Sequence, residues 1–82
     1  MSLCVLEDVA LAKSRHRVEG DSVTAKLSVL TCENGTGDIE YAYWVELHDS
    51  EGNPVMKEAS SDFMIASDIY ERLKATLGPA VA

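Results

Sequence analysis

The sequence predicts a small two-layer α+β domain in the order α-β-β-β-α, with a three-stranded antiparallel meander carrying both helices on one face. Three observations predict it. Residues 22–29 and 39–48 alternate with a period of two, the mark of half-buried strands. Ala66, Ile69, Tyr70, Leu73 and Leu77 fall on one helical stripe. The chain has 82 residues, which suffices for two packed layers around one core, so residues 1–82 read as a single domain.

Taken in order, residues 3–14 read as a helix. Leu3, Leu6, Val9, Ala10 and Lys13 follow 3/4 spacing. Glu7 and Asp8 come early and Lys13, Arg15 and Arg17 late, which complements the helix dipole. A strand is the competing reading, because Leu3, Val5, Val9 and Leu11 also alternate. Glu19-Gly20-Asp21 breaks the pattern. Val23, Ala25, Leu27 and Val29 then mark the first strand, and Ile39, Tyr41, Tyr43, Val45 and Leu47 the second. Both apolar sets are odd-numbered, so odd must face odd, or one strand would turn its apolar side to water. A three-residue loop, Gly35-Thr36-Gly37, keeps that parity and uses Gly37 at positive φ, setting Leu27 opposite Val45 and Val29 opposite Tyr43.

Asp49-Ser50-Glu51-Gly52-Asn53-Pro54 reads as the next turn. The third strand, 54–60, belongs at an edge because Pro54 has no ladder donor; Leu47 is expected opposite Val55, and Tyr43 opposite Ala59. Asp62 or Ser67 caps the last helix, and Phe63-Met64-Ile65 suits either its first turn or a short strand. Gly78-Pro79 stops it, and the tail 78–82 is expected to fray.

Seven basic against fourteen acidic residues give a net charge of −7, and the 46% apolar content is too high for a disordered chain. No apolar run approaches membrane-spanning length, and the start, cut by Glu7-Asp8, lacks a signal-peptide pattern. A cytoplasmic location with Cys4 and Cys32 reduced is the expectation. Met1-Ser2-Leu3 reads equally as a native start or as an expression remnant. Folding buries about 63% of the extended chain's surface at this size, so a cleft of ~300 Å³ would take much of the core. Pairing with a second copy is the economical route to more buried surface.

The element order resembles that of double-stranded RNA-binding domains, in architecture alone. Such domains place Lys and Arg at the start of the second helix to meet phosphates. Here Asp62-Phe63-Met64-Ile65-Ala66-Ser67-Asp68 holds two carboxylates and no base, which argues against a nucleic-acid partner. Charge is uneven elsewhere. Lys13-Ser14-Arg15-His16-Arg17 carries +3, while residues 19–71 set twelve carboxylates against Lys26 and Lys57. The acidic stretch suits either a solvated surface or a dock for a basic protein.

Trp44 is the leading site residue. Parity sends it to the even face, away from the helices, with Leu30, Cys32 and Ala42 beside it and Glu46 and His48 on the same strand face. An indole there calls for cover, and Trp is a favoured interface anchor. Trp44, Leu30, Cys32, Ala42, Glu46 and His48 are therefore the expected interface. His48-Asp49 with Glu46 and Glu51 falls short of a metal site's ligand set, and no phosphate loop or EF-hand is present, so neither metal nor cofactor is expected. The function expected is a non-catalytic binding or regulatory module acting as a homodimer. An acidic inhibitor or antitoxin-like protein docking on a basic partner is the alternative. A small enzyme with a site at the dimer interface, using His48 with Glu46 or Asp49, is the second.

Overall fold

A computed structural model describes residues 4–33 and 35–81; Met1-Ser2-Leu3, Asn34 and Ala82 lie outside the described residues. The protein is α+β with an antiparallel sheet, but the sheet has four strands and carries a single helix: β1 (Cys4–Val18), β2 (Asp21–Glu33), β3 (Ile39–His48), β4 (Pro54–Ser60) and α1 (Phe63–Leu77). The strands lie in the order β1-β2-β3-β4. The α-β-β-β-α order and the three-stranded meander are thus corrected, and the resemblance to double-stranded RNA-binding domains goes with them.

The segment expected as the first helix is instead the long strand β1. Glu19 and Gly20 explain why. Both take positive φ, 51° and 88°, the conformation of a two-residue I′ turn, and this sets Val18 opposite Asp21. The same turn zips β1 onto β2. The 3/4 spacing arises because the strand carries irregularities that shift its phase. Leu6 and Leu11 fall between paired neighbours, so Ala10 lies opposite Ser28 while Ala12 lies opposite Leu27. Two changes of phase turn an alternating strand into a sequence that imitates a helical stripe.

The β2–β3 register places Leu27 opposite Val45 and Val29 opposite Tyr43, with Gly37 at φ 86° in the connecting loop. At the next hairpin Asp49 and Asn53 close around Ser50-Glu51-Gly52. Asp49 N donates to Asn53 O at 2.9 Å, Gly52 N to Asp49 O at 3.0 Å, and Asp49 Oδ1 accepts from Glu51 N and Asn53 N. His48 faces Pro54, but Leu47 faces Met56 rather than Val55, and Ser60 rather than Ala59 faces Tyr43. Val55 is the additional residue. Unbroken alternation would have put Lys57 beneath the helix. The shift puts Met56 there and Lys57 on the opposite face.

Asp62 caps α1, accepting from Met64 N at 2.8 Å, so Phe63-Met64-Ile65 is the first helical turn. The core lies between α1 and the odd residues of β2 and β3: Ala25, Leu27, Val45, Ala66 and Tyr70, with Ala12, Met56 and Leu73 among the residues packed around them. Burial raises the Tyr70 phenol above its ordinary value of 10.0, against a smaller lowering by Lys74.

Within the tail, Ala80 and Val81 lie against β1. Ala80 bridges His16, and Val81 N donates to Arg15 O at 2.7 Å. His16 is the buried tie, only 1% exposed. Its Nδ1 lies 2.9 Å from Gly78 O and its Nε2 2.6 Å from Ser14 Oγ. A carbonyl only accepts, so His16 Nδ1 donates to Gly78 O.

Element lengths decide what the helix covers. Fifteen helical residues span about 22 Å. Thirteen residues of β2 span about 43 Å, close to the 47 Å length of the molecule. One helix therefore roofs about half of the sheet.

Candidate functional site

Two surfaces follow from that half-covered sheet. The first is the open face, opposite α1, where the even residues of β2 and β3 point. Trp44 sits there as parity requires, between Ser28 on β2 and Ala59 on β4. The ring is half-buried and partly roofed by its own chain: Lys57 Nζ lies 3.9 Å from its centroid, a cation–π contact. The Trp44 indole nitrogen and the Ser28 hydroxyl are buried with no hydrogen-bond partner among the described residues. Leu30 and Cys32 are buried within the single chain, with Ala42 opposite Leu30 and half-buried. Of the six expected interface residues, Leu30 and Cys32 are buried, and Trp44, Ala42, Glu46 and His48 are half-buried.

Glu46 and His48 lie further along the same face. His48 Nε2 is 3.2 Å from Glu46 Oε2, and His48 Nδ1 is 3.2 Å from Gly52 O. Asp49, the other acidic group expected near His48, is engaged by the turn amides. A shallow cleft of about 350 Å³ opens here, lined by Lys13, Thr24, Lys26, His48, Asp49, Ser50 and Gly52. Among the described residues no group of three or more His, Cys, Asp or Glu is placed to hold a metal ion.

The second surface was not singled out in the sequence. It is the half of the helix side that α1 does not reach. Val9, Val29 and Tyr43 form one cross-strand row there, with Tyr41 and Ile39 beyond it on β3. The first turn of α1 borders it: Phe63 packs edge-on against Tyr43, with ring centroids 5.4 Å apart. Val9, Ile39, Tyr41, Phe63 and Met64 are all exposed, Tyr41 by 59% and Met64 by 75%. Exposed Glu7 and Glu33 lie on this face at this end, with Asp38 just before β3. The signal that would have found the strip was arithmetic: a 15-residue helix cannot cover the length of the 13-residue strand β2.

Comparison of the chain with protein-family models, with curated proteins and with solved structures finds no significant match. Among the described residues no helix is long and apolar enough to cross a membrane.

Proposed function

We propose that the protein is a non-catalytic binding module of the cytoplasm that acts as a homodimer, and that its dimer surface is the uncovered apolar strip. The observation that carries this reading is the exposure of five large apolar side chains, Val9, Ile39, Tyr41, Phe63 and Met64, at one end of one face. A two-fold contact lets each copy serve as the missing roof of the other. Trp44 is half-buried and partly covered by Lys57, which favours the strip over the even face as the dimer surface. The buried free thiol of Cys32 favours a reducing compartment.

Light scattering coupled to size exclusion tests the proposal. The protein should run as a dimer at micromolar concentrations, and Tyr41→Asp should convert it to a folded monomer. A strict monomer at high micromolar concentration overturns it. Trp44→Asp should leave the dimer intact where the fold survives.

The acidic residues Glu7, Glu33 and Asp38 beside the strip favour a second reading, in which it docks a protein with a basic rim. Salt separates the two. Screening relieves carboxylate repulsion between two copies and tightens the homodimer, but it weakens a contact with a basic partner.

A further inference from the structure

We propose that the cleft on the open face, between Lys13, Lys26 and the β3–β4 turn, binds a small phosphate-bearing molecule. The argument begins with where the basic residues go. A strand carries Lys13, Arg15 and Arg17 on one side, and the register sets Lys13 opposite Lys26, Arg15 opposite Thr24 and Arg17 opposite Ser22. These partners are even residues of β2, so the whole basic run lies on the open face. No helix dipole accounts for it, because β1 is not a helix.

Like charges directly opposed across a ladder destabilise the sheet unless something neutralises them. The two cations of α1 are neutralised: Arg72 pairs with Asp68 at 2.9 Å and Lys74 with Glu71 at 3.2 Å. Among the described residues, Lys13, Arg15, Arg17 and Lys26 form no ion pair, in a chain whose net charge is −7. Glu46 lies opposite Lys26, but its carboxylate is bonded to His48. Among the described residues, this face of an acidic protein thus holds Lys13, Arg15, Arg17 and Lys26 outside any ion pair, with Lys57 engaged on the Trp44 ring.

The cleft gathers the donors. Lys13, Lys26, Thr24 and Ser50, all with side-chain donors, line it with His48. Both ring nitrogens of His48 face acceptors, Gly52 O and Glu46 Oε2, each at 3.2 Å. These two contacts hold the His48 ring at the cleft wall. Asp49 is the carboxylate in the lining, and its Oδ1 is occupied by the Glu51 and Asn53 amides.

The donor types select the ligand. Ammonium and hydroxyl groups are point donors that approach from separate directions, as a tetrahedral phosphate needs. Arginine's planar fork serves carboxylate and phosphate alike, and no arginine lines the cleft, so recognition here rests on the lysine point charges. At about 350 Å³ the cleft is at the small end of ligand sites, which suits a phosphate ester or diphosphate. It lies across the sheet from the apolar strip, so occupancy does not depend on dimerisation.

Titration of the full chain with pyrophosphate, followed by amide chemical shifts, tests the site. Saturable shifts should centre on Lys13, Thr24, Lys26, His48, Ser50 and Gly52, with a dissociation constant of about 1 mM or tighter. Lys13→Gln and Lys26→Gln should each weaken binding about tenfold, and Arg72→Gln should leave it unchanged. Lys13 is exposed, so Lys13→Gln keeps the test valid if Lys26→Gln perturbs folding. Lys13→Gln should also hold or raise the melting temperature, because it removes like-charge repulsion; a purely structural lysine would lower it. Citrate at matched ionic strength should bind more weakly. Absence of saturation, shifts centred on α1, unaltered affinity in Lys13→Gln, or citrate binding as tightly as pyrophosphate overturns the proposal.

Discussion

His16 offers the sharpest check on how the molecule is closed. Its ring is the largest fully buried side chain in the fold, and it joins β1 to the end of α1 through Gly78 and to its own strand through Ser14. His16→Ala removes two hydrogen bonds worth about 1 kcal/mol each. It also strips the Gly78 carbonyl of its partner and leaves a cavity where an aromatic ring stood. Buried aromatic truncations cost about 3–5 kcal/mol. The polar imidazole belongs at the low end, so about 3–4 kcal/mol is the expected loss. A chain of 82 residues has about 4–12 kcal/mol in total, so the variant should be close to unfolding. His16→Asn keeps a donor near the Nδ1 position and should recover about half of the loss. Ser14→Ala should cost about 1 kcal/mol in the parent and almost nothing in His16→Ala, a coupling read from a double-mutant cycle in urea. Hydrogen exchange at the Val81 amide should accelerate in His16→Ala as the tail detaches. A loss below about 1 kcal/mol, or an equal Ser14→Ala cost in both backgrounds, refutes the clamp.

Three further outcomes follow from residues already placed. Ser28→Ala removes a buried hydroxyl without a partner and should raise stability by about 0.5–1 kcal/mol in urea unfolding; a loss of that size means the hydroxyl is satisfied. Asp62→Ala removes the cap on Met64 N and should cost about 1 kcal/mol with helical ellipticity reduced, whereas Asp62→Asn should retain most of it. The raised Tyr70 phenol holds its proton in the native state after the unfolded chain has lost it. Its contribution is therefore complete below the ordinary value of 10.0 and falls as pH rises through the native value. Urea midpoints taken across that range should decline in the parent and decline less in Tyr70→Phe.

The parts of this fold legible in the sequence are those where period two runs unbroken. β2 and β3 announce themselves, and the parity of Ala25, Leu27 and Val45 was enough to set their register and to send Trp44 to the face without a helix. α1 was legible from its stripe and from Gly78. β1 was not, because Leu6 and Leu11 shift its phase and the two-residue Glu19-Gly20 turn lacks the usual Asn or Asp. The phase shift at Val55 hid the β4 register in the same way. The candidate surfaces divide along this line. The position of Trp44 could be derived from alternation alone. Its cover by Lys57, the exposed strip around Tyr41 and the basic cleft all depend on β1 and β4, whose irregularities carry no distinct residue signature.

Those irregularities all fall on β1 and β4, the two outer strands. An outer strand presents unused amide and carbonyl groups on which foreign chains can nucleate. Here one border is broken by kinks at Leu6 and Leu11 and then blocked by Ala80 and Val81, and the other opens with Pro54 and is offset at Val55. Neither margin offers a long straight template. A protein with a wide, partly bare sheet is thereby steered away from fibrils, and association is left to its faces.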